Sequence, residues 1–117
     1  MDRKELNEFC GALASVTYVE QWGGASVWKV GGKIFAICAN WGEGPGDKVK
    51  FKCSDLSYQI LGELEGVSPA PYLARAKWVQ VVPGATLTDE DVRSYIVDAH
   101  TIIAGKLTKK YRAELGL

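Results

Sequence analysis

The side chains most suited to binding chemistry in this sequence are lysines. Lys48, Lys50 and Lys52 alternate with Val49 and Phe51, so on a strand the three ammonium groups share one face at about 7 Å spacing. Such a row can contact nucleic-acid phosphates without reading bases. It can equally be a solvated face whose lysines protect the sheet from edge pairing. The candidate nucleic-acid contacts are Lys29, Lys33, Lys48, Lys50, Lys52, Lys106, Lys109, Lys110 and Arg112.

The last four of these cations have a simpler explanation. They fall in and after the last turns of a predicted C-terminal helix, where positive charge complements the helix dipole and aids solubility. The sequence leaves open whether they share a face with the strand lysines.

No recognisable catalytic constellation is present. His100 is the only histidine and lies at the flank of a helical apolar stripe, where a hydrogen bond explains it. The chain contains neither GxSxG nor HExxH, and the acids Asp89, Glu90 and Asp91 suit a helix start. We therefore expect no catalytic residues and a non-enzymatic protein. An unrecognised enzyme is a third hypothesis, after the two binding functions described at the end of this subsection.

The cysteines argue against a metal centre. Cys10, Cys38 and Cys53 are odd in number, widely spaced and set among apolar residues, a pattern typical of buried free thiols in a reducing compartment. A metal site built from all three would also need a fourth donor, and the chain has a single histidine, His100. We expect neither a metal nor a cofactor.

A glycine-rich segment at residues 40–47 (NWGEGPGD) carries the most interesting aromatic residue. Its spacing is wrong for a phosphate-binding P-loop, and a strand follows where a helix is needed, so it is predicted to be a hairpin loop. Trp41 at the base of this loop could stack on a base or a ligand ring. It could also fold back over the sheet edge.

Composition fits one ordinary globular domain, residues 1–117. The chain is 47% hydrophobic, and its 14 basic and 14 acidic residues give zero net charge, which weakens the case for a dedicated nucleic-acid binder. We expect no signal peptide, because the first residues show neither an apolar core region nor a cleavage-site pattern. No apolar run approaches the ~20 residues of a membrane helix. We expect a cytoplasmic monomer that does not contact membranes.

Hydrophobic periodicity predicts eight elements in the order α-β-β-β-β-α-β-α. Consecutive strands with short turns indicate an antiparallel sheet, and amphipathic helices at both ends are predicted to pack on one face. This is a two-layer α+β domain. The predicted helices begin near Asp2, Ser54 and Thr88, and the predicted strands cover residues 16–22, 26–30, 33–39, 48–53 and 78–82.

The order of short motifs resembles the MmcQ/YjbR family of small bacterial proteins. The matching segments are Trp22–Gly23, VGGKIFA, VSPAPYL, WVQVV, and LTDEDVRSYI followed by KLTKKYR. The resemblance implies a frataxin-like fold, a standalone cytoplasmic domain, and a DNA-binding label derived from a double-wing hairpin arrangement. One departure is Ala99–His100, where many members have Ser-Tyr. An iron role is not expected, because Arg3 and Lys4 interrupt the acids of the first helix.

Two hypotheses about function follow. The first is a binding module that contacts DNA without sequence preference through the lysine strand and its hairpin. The alternative is a protein- or small-molecule-binding domain that uses an aromatic surface of Trp22, Trp28, Trp41 and Trp78.

Overall fold

A computed structural model of the protein describes residues 1–42 and 44–117. The strands are β1 (Val16–Gln21), β2 (Ala25–Val30), β3 (Lys33–Ala39), β4 (Lys48–Lys52), β5 (Val67–Pro69) and β6 (Trp78–Val81). The helices are α1 (Arg3–Gly11), α2 (Asp55–Leu61), α3 (Asp89–Ala104) and α4 (Lys109–Glu114), and a short 3₁₀ turn covers Ala74–Ala76. The strands form one six-stranded sheet in the order β1-β2-β3-β4-β6-β5, and every pairing is antiparallel.

One face of the sheet is the core of the domain. Leu6 and Cys10 of α1, Leu61 of α2 and Ile96 of α3 are buried in a single cluster with strand residues. The predicted two-layer α+β architecture, with the terminal helices on one face, is therefore confirmed. The frataxin-like label stays a prediction. In the described parts of the chain, no helix is both long and apolar enough to cross a membrane.

Helix starts follow the predicted caps. Asp2 and Glu5 form a reciprocal capping box at α1, and the Thr88 hydroxyl accepts a hydrogen bond from the Asp91 amide at α3. The predicted single C-terminal helix is divided in the structure. Helix α3 ends at Gly105, and Thr108 caps α4 as a new N-terminus, because its hydroxyl accepts from the Tyr111 amide.

The strand that the sequence did not predict is β5. Its three residues pair with β6 at the sheet edge, although Pro69 lacks an amide hydrogen. Proline is tolerated at an edge strand because no further strand needs that donor. The segment was predicted only as a proline-marked connection.

The second face of the sheet lies opposite the helices, and we call it the open face. Loops cover part of it. Ala70 and Leu73, from the connection between β5 and β6, pack there with Trp41 from the loop after β3. A second apolar cluster forms beneath them, with Val27, Ile37 and Trp78.

The β2–β3 turn couples the sheet to the C-terminal helices. Gly31 has φ +57°, and a Cβ added there would overlap the Leu107 side chain; Gly32 has φ +79° and open space around it. We predict that Gly31→Ala lowers the free energy of unfolding by about 2–4 kcal/mol, because overpacking adds to left-handed strain. Gly32→Ala, which introduces only the strain, should cost about 1 kcal/mol. Urea denaturation compares the two, and equal losses would contradict the packing argument.

Candidate ligand-binding site

The lysine row of β4 is not a solvent-facing surface. Strand alternation does place Lys48, Lys50 and Lys52 on the face opposite Val49 and Phe51, as predicted, but Lys48 and Lys50 are 0% exposed. The expectation that these two lysines meet solvent or phosphates is wrong. The reason is that the loop after β3 folds back over β4 and places carbonyl oxygens against both ammonium groups, with Gln80 Oε1 of β6 as a further partner of Lys50.

Lys48 holds this loop at three points. Its Nζ donates to the carbonyl oxygens of Asn40 at 3.1 Å, Gly44 at 2.8 Å and Gly46 at 3.1 Å. An ammonium group has three donors, so all of them are used within the protein. None remains for a phosphate.

Lys50 holds the part of the loop that carries the tryptophan. Its Nζ donates to the Trp41 carbonyl oxygen at 3.1 Å and to Gln80 Oε1 at 2.6 Å. The same ammonium lies 4.6 Å from the centroid of the Trp41 ring, a cation–π contact. Lys50 therefore fixes both the backbone and the ring of Trp41.

A glycine is required where the loop presses on Gln80. Gly42 has φ +100°, and an added Cβ would lie 3.1 Å from Gln80 Oε1 and 3.3 Å from Pro71 Cγ. The far end of the loop is tied to α1, since Arg3 donates two hydrogen bonds to the Asp47 carboxylate, at 2.9 and 3.0 Å. Arg3 also donates to the Gly24 carbonyl oxygen in the β1–β2 turn.

These contacts shape an open pocket of about 510 Å³ on the open face. Side chains from strand ends, from strand β3 and from both covering loops meet there. The lining is apolar and consists of Trp22, Ile34, Ile37, Trp41, Tyr72, Leu73 and Trp78.

Trp41 stands at the centre of the aromatic part of this pocket. Its ring centroid lies 6.1 Å from that of Trp22, in an edge-to-face arrangement, and 6.2 Å from that of Tyr72. The ring thus folds back over the sheet, which is the second alternative considered for Trp41, and it also lines a cavity. Stacking on a ligand ring stays a prediction. Its Nε1 is shielded from solvent and has no hydrogen-bond acceptor among the described residues.

The two exposed aromatic residues of the pocket adopt an unfavourable backbone conformation. Trp22 has φ +53° and Tyr72 has φ +68°, in the left-handed region that costs a non-glycine residue about 1–2 kcal/mol. Their side chains are 55% and 91% exposed, so burial does not offset that cost. Uncompensated strain of this kind clusters at functional sites.

The predicted aromatic surface is only partly present. Trp22, Trp41 and Trp78 meet at the pocket, but Trp28 lies on the helix side of the sheet, where its Nε1 donates to Asn7 Oδ1 at 2.9 Å. An aromatic surface that included Trp28 is therefore wrong. Sequence reasoning missed four lining residues, Ile34, Ile37, Tyr72 and Leu73. The signal that could have found Tyr72 is its position in a proline-containing connection beside a strand.

The remaining predicted cations are spread over several elements. Lys29 and Lys52 lie on the open face and are half-buried, and Lys52 donates to the Ala76 carbonyl oxygen. Lys33 is exposed at the start of β3. At the other terminus Lys106, Lys109 and Lys110 are exposed and Arg112 is half-buried. Burial lowers the pKa of Lys52, and the nearby positive charge of Lys106 adds to the effect.

The cysteines are buried free thiols, as predicted. Burial raises the pKa of Cys10 to about 12 and that of Cys38 to about 11, which keeps both protonated at neutral pH. His100 Nε2 lies 2.8 Å from the Ala14 carbonyl oxygen, and its ring packs edge-on to Phe35. Across residues 1–42 and 44–117, no group of three His, Cys, Asp or Glu side chains is arranged to hold a metal.

Comparison with known proteins places the chain in a family. The YjbR family model matches residues 11–102. The chain belongs to the YjbR family. No curated protein matches this YjbR chain.

Two solved structures share the fold of this YjbR protein. A Deinococcus radiodurans protein with a DUF419 domain is 21% identical, with a TM-score of 0.84 over 99% of this chain and 88% of that one. A Pseudomonas syringae protein is 16% identical, with a TM-score of 0.74 over 88% of this chain and 99% of that one. Similarity at these identities establishes the fold but does not establish what the site binds.

Lys48→Met tests whether the lysine holds the loop. The change leaves three carbonyl oxygens unpaired, so we predict a loss of about 1–3 kcal/mol in the free energy of unfolding and faster amide hydrogen exchange across the described residues of the loop. Lys29→Met, on the same face with no described hydrogen bond to lose, should stay within about 0.5 kcal/mol of wild type. Unchanged exchange in the Lys48 variant would contradict the role.

Lys50 should give the protein a distinctive pH dependence. Burial, with a smaller contribution from Lys48, lowers the pKa of Lys50 from 10.5 to about 8. Between these values the unfolded chain binds more protons, so this group makes stability rise with pH. We predict that the free energy of unfolding of wild type, minus that of Lys50→Met, is flat below pH 8 and rises from about 8 to 10.5. Cys10 and Cys38 are present in both proteins, so their contributions to the pH dependence largely cancel in this difference. Parallel pH profiles would refute the prediction.

Proposed function

We propose that this protein is a non-enzymatic binding domain that holds a ring-bearing small molecule in the aromatic pocket of the open face. The observation that carries the proposal is the pocket of about 510 Å³, lined by Trp22, Trp41, Tyr72 and Trp78 together with three aliphatic residues. Small-molecule sites typically measure about 300–1,000 Å³ and are lined mainly by apolar and aromatic side chains.

The rigidity of the pocket supports binding. Lys48 and Lys50 hold the loop before any ligand arrives, with four hydrogen bonds donated to its carbonyl oxygens. A preformed site avoids much of the entropy that a flexible loop would lose on binding. Trp41 is therefore presented in one orientation toward the cavity.

The exposed rim supports binding as well. Trp22 and Tyr72 keep strained backbones without burying their rings, and neither property stabilises the free protein. A planar ligand that stacks between the rim and Trp41 would bury these surfaces. Binding of such a ligand would therefore explain why these two aromatic residues are both strained and exposed in the free protein.

The DNA-binding hypothesis has less support. Two lysines of the proposed phosphate row have their ammonium groups surrounded by protein oxygen atoms. The cations left exposed are distributed over β3, the end of α3 and the start of α4. The binding experiment described below therefore includes duplex DNA as a competing ligand.

The cytoplasmic location and the monomeric state of the protein stay predictions.

A neutral fluorescent probe, N-phenyl-1-naphthylamine, tests the proposal. We predict saturable binding with a fluorescence increase, weakened at least about fivefold by Tyr72→Gly and by Trp22→Gly, because aromatic pairs contribute about 0.5–1.5 kcal/mol beyond burial. Glycine removes the left-handed strain, so both variants should unfold within about 1 kcal/mol of wild type.

Ser15→Gly is the matched control. Ser15 also has a left-handed backbone, with φ +57°, but does not line the pocket, so this variant should bind the probe as wild type does. Absence of probe binding, or an affinity that is unchanged in both pocket variants, would overturn the proposal. Tight, salt-sensitive binding of duplex DNA that survives the pocket variants would favour the DNA hypothesis instead.

A further inference from the structure

The charged strand side chains on the open face are all positive, even though the chain as a whole is neutral. Strand register places the side chains of Thr17, Val19 and Gln21 of β1 on this face, with none charged. Gln80 and Ser68 occupy it on β6 and β5. Every charged strand residue on the face is a lysine: Lys29, Lys48, Lys50 and Lys52.

Two of these lysines stand at one end of the pocket. Lys29 is directly opposite Ile34 in the β2–β3 register, and Lys52 is opposite Trp78 in the β4–β6 register; both partners line the cavity. Because β2 and β4 flank β3, the two lysines are about 10 Å apart at Cα, two strand spacings. Lysine side chains are long enough for both ammonium groups to reach one anion between them.

The neighbours of these ammonium groups leave them available. Among the described residues, no carboxylate forms a salt bridge with Lys29 or Lys52. Lys52 gives one hydrogen bond to Ala76 O and retains two donors. Lys106 and Lys77 add positive charge near Lys52, and Asp55 is the acid nearby.

Lys29 and Lys52 do not themselves line the cavity, but each is the cross-strand neighbour of a residue that does. We propose that the ligand is a ring-bearing organic anion whose apolar rings lie against Trp41 and whose carboxylate or phosphate lies between Lys29 and Lys52. This rests on the proposed function and adds the chemical class of the ligand. A neutral ligand would leave the two ammonium groups without a counter-charge at the edge of an apolar cavity.

A pair of probes that differ only in charge tests the proposal. 8-Anilinonaphthalene-1-sulfonate has the same two ring systems as N-phenyl-1-naphthylamine and adds one sulfonate. At about 50 mM salt we expect the anion to bind about tenfold more tightly, since each lysine contributes a modest, salt-screened attraction. The double variant Lys29→Gln with Lys52→Gln should lose this advantage and keep its affinity for the neutral probe.

The neutral probe separates the two possible failures. If both probes bind equally, or if the double variant keeps the advantage of the anion, the anionic class is wrong while the pocket still binds rings. If neither probe binds, the proposed function fails. Lys109→Gln with Lys110→Gln, a control pair on exposed α4, should change neither affinity.

The nature of the anion is resolved by competition. Displacement of the sulfonate probe by 1-naphthoate or by 1-naphthyl phosphate would support the proposal and distinguish a carboxylate from a phosphate ligand. Displacement by short single-stranded DNA with a steep salt dependence, and by neither small anion, would overturn it in favour of nucleic acid.

Discussion

The arrangement of the open face depends on the burial of two ammonium groups among backbone carbonyl oxygens. Removing a charge from water is costly unless hydrogen bonds replace its hydration. Lys48 meets this requirement with three carbonyl oxygens, and Lys50 with one carbonyl and one amide oxygen. Lysine suits the task because its donors point in three directions, whereas the planar fork of arginine matches carboxylates. The two ammonium groups also favour this position of the loop, since moving the loop away would break four hydrogen bonds to its carbonyl oxygens.

The pocket follows from this constraint. Once the loop is held, Trp41 lies over β3 and β4, and Gly42 allows close approach to Gln80 and Pro71. Tyr72 and Leu73, from the connection between β5 and β6, complete the lining of the cavity. The same strands therefore serve two purposes: their helix side forms the core of the fold, and their other side supports a cavity whose shape depends on loops. Structures that share this fold at 21% and 16% identity consequently say little about what the cavity binds.

The limits of sequence reasoning are clear at β4. Alternation in KVKFK correctly assigned Val49 and Phe51 to one face and the lysines to the other, because the strand period is two. Alternation does not reveal whether the polar face meets water. Here the partners of the lysines are backbone carbonyls, which every residue carries, so the hydrogen bonds have no sequence signature. The left-handed backbones of Trp22 and Tyr72 were equally hidden, since that conformation normally indicates glycine or asparagine. Caps, strand bounds and the helix-side core were predictable because their causes are local or periodic.

The zero net charge of the chain conceals a division between the two sides of the sheet. Acids gather at the starts of α1 and α3, where helix dipoles and the N-terminal ammonium stabilise them. The charged strand residues of the open face are all lysines. Lys48 and Lys50 hold the loop through hydrogen bonds. Lys29 and Lys52 lie beside residues that line the cavity. A total of zero therefore argues against a protein-wide positive field of the kind that duplex DNA binding favours. It has no bearing on recognition of one small anion, because such a ligand senses only the few charges within a Debye length of its site.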